Sequence, residues 1–155
     1  MDDLDSFDRA ILDRLQRTVR ETSEAIGEAV GLSPTAVQRR IRRLRECGAI
    51  LAEVAVVAPQ AAGRRLTAIV EVALAQGARE DLVDGFKRRV RARPEVQQCY
   101  YVAGDHDFVL IVTAQDMADY DRLTRSLLFE DPLVARFRTT VVIDPVKVGL
   151  GVPIA

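Results

Sequence analysis

From Ser33 to Gly48 the sequence admits one local structure. Ser33-Pro34 joins an N-cap hydroxyl to a proline at the first helical position, where its missing N–H leaves no helical bond unmade and its φ is already helical. Val37, Ile41 and Leu44 then recur at i, i+4 and i+7, and Gly48 is the residue type that ends such a helix, at about Cys47. The apolar arc is narrow, so one face goes to a core while the opposite face is left for something else. That opposite face holds Thr35, Gln38, Arg39 and Arg42, with Arg43 and Arg45 on its flanks. Between Leu32 and Arg45 stand five arginines and no acid, a local charge of +5.

Two helices are expected before it. Leu4, Phe7, Ile11 and Leu15 recur at helical spacing, with Asp5 and Asp8 forming an acidic variant of a capping box, so a first helix should run to Gln16 or Arg17. Thr22 N-caps a second helix, Ser23 to Val30, which Gly31 ends and in which Gly27 permits close crossing. The short turn Gly31-Leu32-Ser33 makes the pair a helix-turn-helix, a module that lays its second helix in the major groove. An arginine-rich face alone reads as a solvated surface. Here the acids are missing from it, Gln and Thr sit among the arginines, and the turn is complete, which together point to double-stranded DNA. The expected DNA-facing set is Thr22, Ser23, Ser33, Thr35, Gln38, Arg39, Arg42 and Arg43. Gln38, Arg39 and Arg42 suit base edges or nearby phosphates, Ser33 with the helix N-terminus suits a phosphate, and Arg43 or Arg45 suits the backbone.

Composition sharpens this. The 155 residues carry 22 Lys+Arg against 23 Asp+Glu, a net charge of -1 that argues against a nucleic-acid partner until it is resolved into +5 on one helix and -6 elsewhere. At 48% hydrophobic and 29% charged the chain is neither disordered nor collagen-like. No apolar run approaches the ~18 residues of a membrane span, and Met1-Asp2-Asp3-Leu4-Asp5 lacks a secretory signal's charge, so a cytoplasmic address is expected. Cys47 and Cys99 stand far apart without a CxxC, and His106 is the only histidine. That excludes a structural zinc site, and no cofactor is expected.

This first part resembles the N-terminal half of the Lrp/AsnC family of bacterial and archaeal transcriptional regulators. The resemblance is carried by Leu4-Asp5…Asp8…Ile11-Leu12, by Val30-Gly31-Leu32-Ser33-Pro34, and by Val37…Arg40-Ile41…Leu44…Gly48…Ile50. Two departures stand out, Arg45 where the family often has glutamate and Glu53 where it has an aromatic.

Beyond Gly48 the apolar period changes. Ile50 to Val57 is apolar and β-branched enough for a strand, inside a linker of about 50–65 broken by Pro59 and Gly63. Leu66 to Leu74 alternates as a half-buried strand. Leu82, Phe86 and Val90, with Val83 beside them, stripe a helix over Arg79 to Arg93 that Pro94 ends. Val96 to Ala103 and Phe108 to Ala114 are strands around a Gly104-Asp105-His106-Asp107 hairpin, with Tyr100 and Tyr101 on opposite faces. Asp116 caps a helix with Tyr120, Leu123 and Leu127, and Val134 to Ile143 is a last strand. The expected class is α+β: a helix-turn-helix, winged-helix-like domain over 1–49, the linker, and a ferredoxin-like βαββαβ domain over 66–155. Such a sheet leaves one apolar face uncovered, from which a homodimer is expected.

The second half resembles the same family through Glu95-Val96, Val102 to Phe108, and Arg138 to Ile143. The resemblance implies higher-order assembly of dimers and a small effector, an amino acid, held in a cleft between copies by Tyr101, Gly104, Asp105, His106, Asp107, Thr139 and Thr140. The aspartates can accept from an ammonium, while threonine hydroxyls and loop N–H groups can donate to a carboxylate. Taken on its residues alone, the loop reads first as an exposed hairpin whose aspartates cap backbone, and it is the resemblance that turns the reading to an effector site. Two other functions are open to this layout: an architectural DNA protein without effector, and a tetrapyrrole decarboxylase-like enzyme, which a single histidine disfavours.

Overall fold

The computed structural model describes residues 4–154; Asp2 and Asp3 of the acidic N-terminal run lie outside them. The chain forms two compact units, one holding residues up to Val56 and from Lys147 onward, the other Val57–Val146. None of the helices described is long and apolar enough to cross a membrane.

The first unit is built on α1 (Ser6–Leu15), α2 (Ser23–Val30) and α3 (Pro34–Glu46). Each start has its expected cap. Asp5 and Asp8 form the reciprocal capping box, Thr22 Oγ1 accepts from Ala25 N at 3.2 Å, and Ser33 Oγ accepts from Ala36 N at 3.3 Å. Ile11, Ile26, Val37, Ile41 and Leu44 make the core, with Leu4, Leu15, Val30 and Ile50 packed around it. Asp8 is as buried as these, with 1% of its side chain exposed. Its carboxylate takes Arg40 Nη1 at 2.8 Å and Arg43 Nη2, so a charge on α1 docks α3.

The strand expected over Ile50–Val57 does not form. Residues 51–58 run without regular structure, and Leu51, Val54 and Val56 are more than two-thirds exposed. β-branched residues favour extended backbone, but a strand needs a ladder, and nothing within the described chain pairs with this segment. Among its described residues the unit therefore has helices only, without a winged helix's paired strands. The tail from Lys147, grouped by sequence with the second domain, clusters with this unit. The Gln16 carboxamide holds it, Nε2 donating to Val152 O at 2.8 Å and Oε1 accepting from Val152 N at 3.0 Å.

The second unit contains β1 (Leu66–Leu74), α4 (Glu80–Arg91), β2 (Val96–Tyr101), β3 (Phe108–Ala114), α5 (Met117–Thr124) with a π-helical extension Arg125–Phe129, and β4 (Val134–Val141). The sheet is antiparallel in the order β2-β3-β1-β4, the split βαββαβ arrangement expected. Ala68, Val70, Val72, Phe108, Leu110 and Val112 point toward the helices and are buried with Val83, Phe86, Val90, Leu123 and Leu127. The stripe on α4 runs through Val83 rather than Leu82, which is half exposed. Seven residues back from Val90 completes two helical turns and eight does not, so the packed row turns to Val83.

Replacing Asp8 with alanine should leave Arg40 and Arg43 facing each other without their shared partner. Because both arginines reach solvent, the loss should be about 2–4 kcal/mol, somewhat under the range of about 3–5 kcal/mol for fully buried pairs. Chemical denaturation of the first unit measures it, and a loss below 1 kcal/mol would refute the docking role.

Candidate functional site

α3 is placed by a tight turn. Gly31 adopts φ 76°, open to glycine, and the N–H groups of Gly31 and Leu32 both reach Gly27 O. A Cβ on Gly27 would lie 2.4 Å from Leu32 O, so only glycine lets α2 meet the turn this closely.

The five arginines of α3 divide into two classes. Arg40 bridges Asp5 and Asp8, Arg43 is bound to Asp8, and Arg45 makes a two-pronged contact with Glu53, Nε to Oε2 at 2.9 Å and Nη2 to Oε1 at 3.0 Å. These carboxylates keep all three guanidiniums yet more firmly protonated. The Asp5 carboxyl is held below its ordinary value, first by the Asp8 N–H, with Arg40 adding against partial desolvation. Arg39 and Arg42 are exposed and have no ion pair among the described residues. Thr35 and Gln38 are exposed beside them, Thr22 and Ser33 cap their helices, and Ser23 is half buried. Of the expected DNA-facing residues, Arg43 is thus engaged inside the unit. Arg45 is likewise engaged, by Glu53.

The effector candidates are sorted by strand register. Side chains alternate across a strand, so Tyr101 and Thr139 lie in the rows of Phe108–Val72–Phe137 and Leu110–Val70, on the face the helices cover. Thr139 Oγ1 is hydrogen-bonded to the Tyr120 hydroxyl there. Thr140 lies on the opposite, open face, in the row Gln98–Ile111–Ile69. The two threonine hydroxyls therefore cannot serve one pocket of a single chain. His106 also turns to the open face, its Nδ1 4.0 Å from Glu71 Oε1, with Arg138 Nη1 3.9 Å from Glu71 Oε2. Asp107 anchors the loop: Oδ2 accepts from Leu74 N at 2.7 Å and its N–H donates to Val72 O at 2.9 Å. That carboxylate caps backbone, as the loop's plainer reading had it. Gly104 and Asp105 sit exposed at the tip, and a Cβ on Gly104 would meet open space.

Glu71 was missed by sequence reasoning because its neighbour His106 belongs to another strand's loop. Asp8 was read only as a cap; its partners lie 32 and 35 residues away.

A helix-turn-helix whose second helix carries two arginines without an ion pair among the described residues, joined to a split βαββαβ unit, defines a DNA-binding regulator with an appended sensory domain. The AsnC-type helix-turn-helix domain matches residues 4–45, and the Lrp/AsnC ligand binding domain matches residues 67–151. An uncharacterised HTH-type transcriptional regulator of Sinorhizobium fredii, y4tD, is 49% identical over 98% of this chain and 89% of its own length. The leucine-responsive regulatory protein of Escherichia coli is 37% identical over 94% and 88%. A transcriptional regulator from Neisseria meningitidis, solved as an L-Met complex, superposes with a TM-score of 0.88 at 27% identity over 97% of both chains. The chain belongs to the Lrp/AsnC family of transcriptional regulators. It is a regulator with a DNA-binding helix-turn-helix and a ligand-binding domain, not an enzyme, which sets the decarboxylase reading aside.

Burial pushes the Tyr120 phenol above its ordinary value of 10.0, with the Thr139 hydrogen bond opposing. A raised folded-state pKa means the stability contribution is complete below pH 10 and is lost as pH rises from there through the folded value. Tyr120→Phe should abolish that alkaline loss while costing about 1 kcal/mol at neutral pH for the lost hydrogen bond. Denaturation at pH 8, 9.5 and 10.5 checks both; an unchanged alkaline slope in the variant would contradict the assignment.

Proposed function

We propose that the protein is a ligand-responsive regulator that binds operator DNA as a homodimer or larger assembly of dimers and takes an α-amino acid as effector. The observation that carries the DNA side is the pair Arg39 and Arg42, exposed beside Gln38 and Thr35 with no acidic partner among the described residues. Arginines already bound to carboxylates would have to exchange partners to meet phosphate; these two would not. The reading gives Arg39, Arg42 and Gln38 to base edges and nearby phosphates in the major groove, and Thr22, Ser23, Ser33 and Thr35 to the backbone. Arg43 positions α3 through Asp8. Operator DNA as target makes the bacterial or archaeal cytoplasm its compartment.

Assembly is supported by the open sheet face, which exposes half of Tyr100 beside Val109, Ile111 and Ile69. Burying such a face between two copies relieves an apolar patch, and paired helices then meet successive half-sites. The amino-acid effector is supported by the E. coli and Neisseria relatives, whose names carry leucine and L-Met. Asp105 receives the ammonium, and loop N–H groups with Thr140 serve the carboxylate. Since Thr140 stands opposite Ile69, while the loop is tied to β1 three residues further on at Val72, we take the site to be completed between copies. Of the remaining candidates, His106 and Asp107 support the loop, while Tyr101 and Thr139 stand on the helix-covered face and leave the effector to the others.

Genomic DNA selection with and without an amino-acid mixture tests the whole reading. Arg42→Ala should weaken operator binding roughly tenfold without lowering stability, whereas Arg43→Ala should lower stability first. Equal loss on operator and random DNA would make Arg42 a phosphate contact rather than a reader. Gly104→Trp, which meets open space within the chain, and Asp105→Ala should abolish the ligand's effect while leaving ligand-free DNA binding intact. A retained ligand response in both would overturn the loop assignment, and no calorimetric binding of any common amino acid would favour an architectural role.

A further inference from the structure

α4 and the β2 edge of the sheet enclose an open cavity of about 520 Å³, within the range of small-molecule sites. The exposed Tyr101 ring is its apolar surface, backed at 4.9 Å by the buried Phe108 ring and by Val90, and Cys99 forms part of a wall. Its cations are Lys87, whose Nζ stands 4.9 Å from the Tyr101 ring centre, and Arg91. Lys87 Nζ also donates to Asp84 Oδ1 at 2.9 Å, outside the cavity lining, whereas Arg91 has no ion pair among the described residues. Both belong to a run, Lys87 to Arg93, with five cations and no acid. No Asp or Glu lines the cavity.

That last point selects the ligand. An α-amino acid bound here would set its ammonium among Lys87 and Arg91, and the one carboxylate beside them, Asp84, is already engaged by Lys87. A carboxylic acid lacking the amine meets no such repulsion: a guanidinium fork suits its carboxylate and the aromatic floor suits an apolar body. We infer that this cavity is a second ligand site, separate from the hairpin loop, for small apolar carboxylic acids without an ammonium group, such as branched-chain or aromatic 2-oxo acids. It does not rest on the amino-acid reading of the loop. In this arrangement Tyr101, rather than lining the loop's site, floors this one.

Cys99 is a built-in reporter. Cys99 is exposed, so iodoacetamide can reach it, and partial desolvation pushes its thiol up with Arg91 opposing, so at neutral pH it is an uncharged wall. The full chain carrying Cys47→Ser leaves Cys99 as its single thiol. Its alkylation by iodoacetamide should slow saturably with 4-methyl-2-oxopentanoate and not with leucine or acetate, and calorimetry should report the same midpoint without the label. In Arg91→Ala the midpoint should rise about tenfold, with Arg91→Lys between the two. Equal protection by leucine, an unchanged midpoint in Arg91→Ala, or neither protection nor heat would overturn the site. Protection that follows protein concentration instead of the acid would also overturn it, by making the groove a contact between copies. Asp105→Ala should leave this response untouched, which separates failure here from failure of the loop assignment.

Discussion

The buried carboxylate of Asp8 decides what the first unit can offer to DNA. It closes the capping box of α1 on one side and receives Arg40 and Arg43 from α3 on the other, so one side chain caps a helix and sets where its neighbour lies. Two arginines are drawn inward by it, and a third is held by Glu53. A helix that carries five arginines presents Arg39 and Arg42 outward. Association with DNA should then respond to salt as a helix with few free cations does, with affinity depending on docking geometry as much as on charge. The Arg45–Glu53 contact works in the same way, each residue supplying the charge the other requires.

The second unit is governed by register. Because β1 is paired on both sides, its alternation is imposed on β3 and β4, and each side chain of the sheet is assigned to the helix face or the open face. This divides residues that look contiguous in the chain. Thr139 closes a hydrogen bond with Tyr120 under the helices, while its neighbour Thr140 looks out from the open face toward whatever covers it. The hairpin loop is split in the same way, with Asp107 tied to the backbone of β1 and the tip left to solvent.

Local features were therefore legible and distant ones were not. The caps at Asp5, Thr22, Ser33 and Asp116, the glycine stop at Gly31 and the βαββαβ order depend on residues a few positions apart, and each is present. The strand expected over Ile50–Val57 failed because extended propensity is local while a ladder partner is not. Leu82 was preferred to Val83 because both fit a helical stripe and only the sheet beneath α4 distinguishes them. Arg43 was placed on the DNA face by angle alone, since nothing in the chain between Asp8 and Arg43 records their meeting.

By itself the sequence determined the two-part architecture, the recognition helix and the family resemblance, because caps, apolar period and turn chemistry act within one or two helical turns. Only the tertiary structure decided which arginines remain available, which threonine faces which side, and where an acid-free cationic cavity opens beside the sheet. Those depend on pairings across as many as 35 residues and on strand register, and side chains compete for partners only once the chain has brought them together.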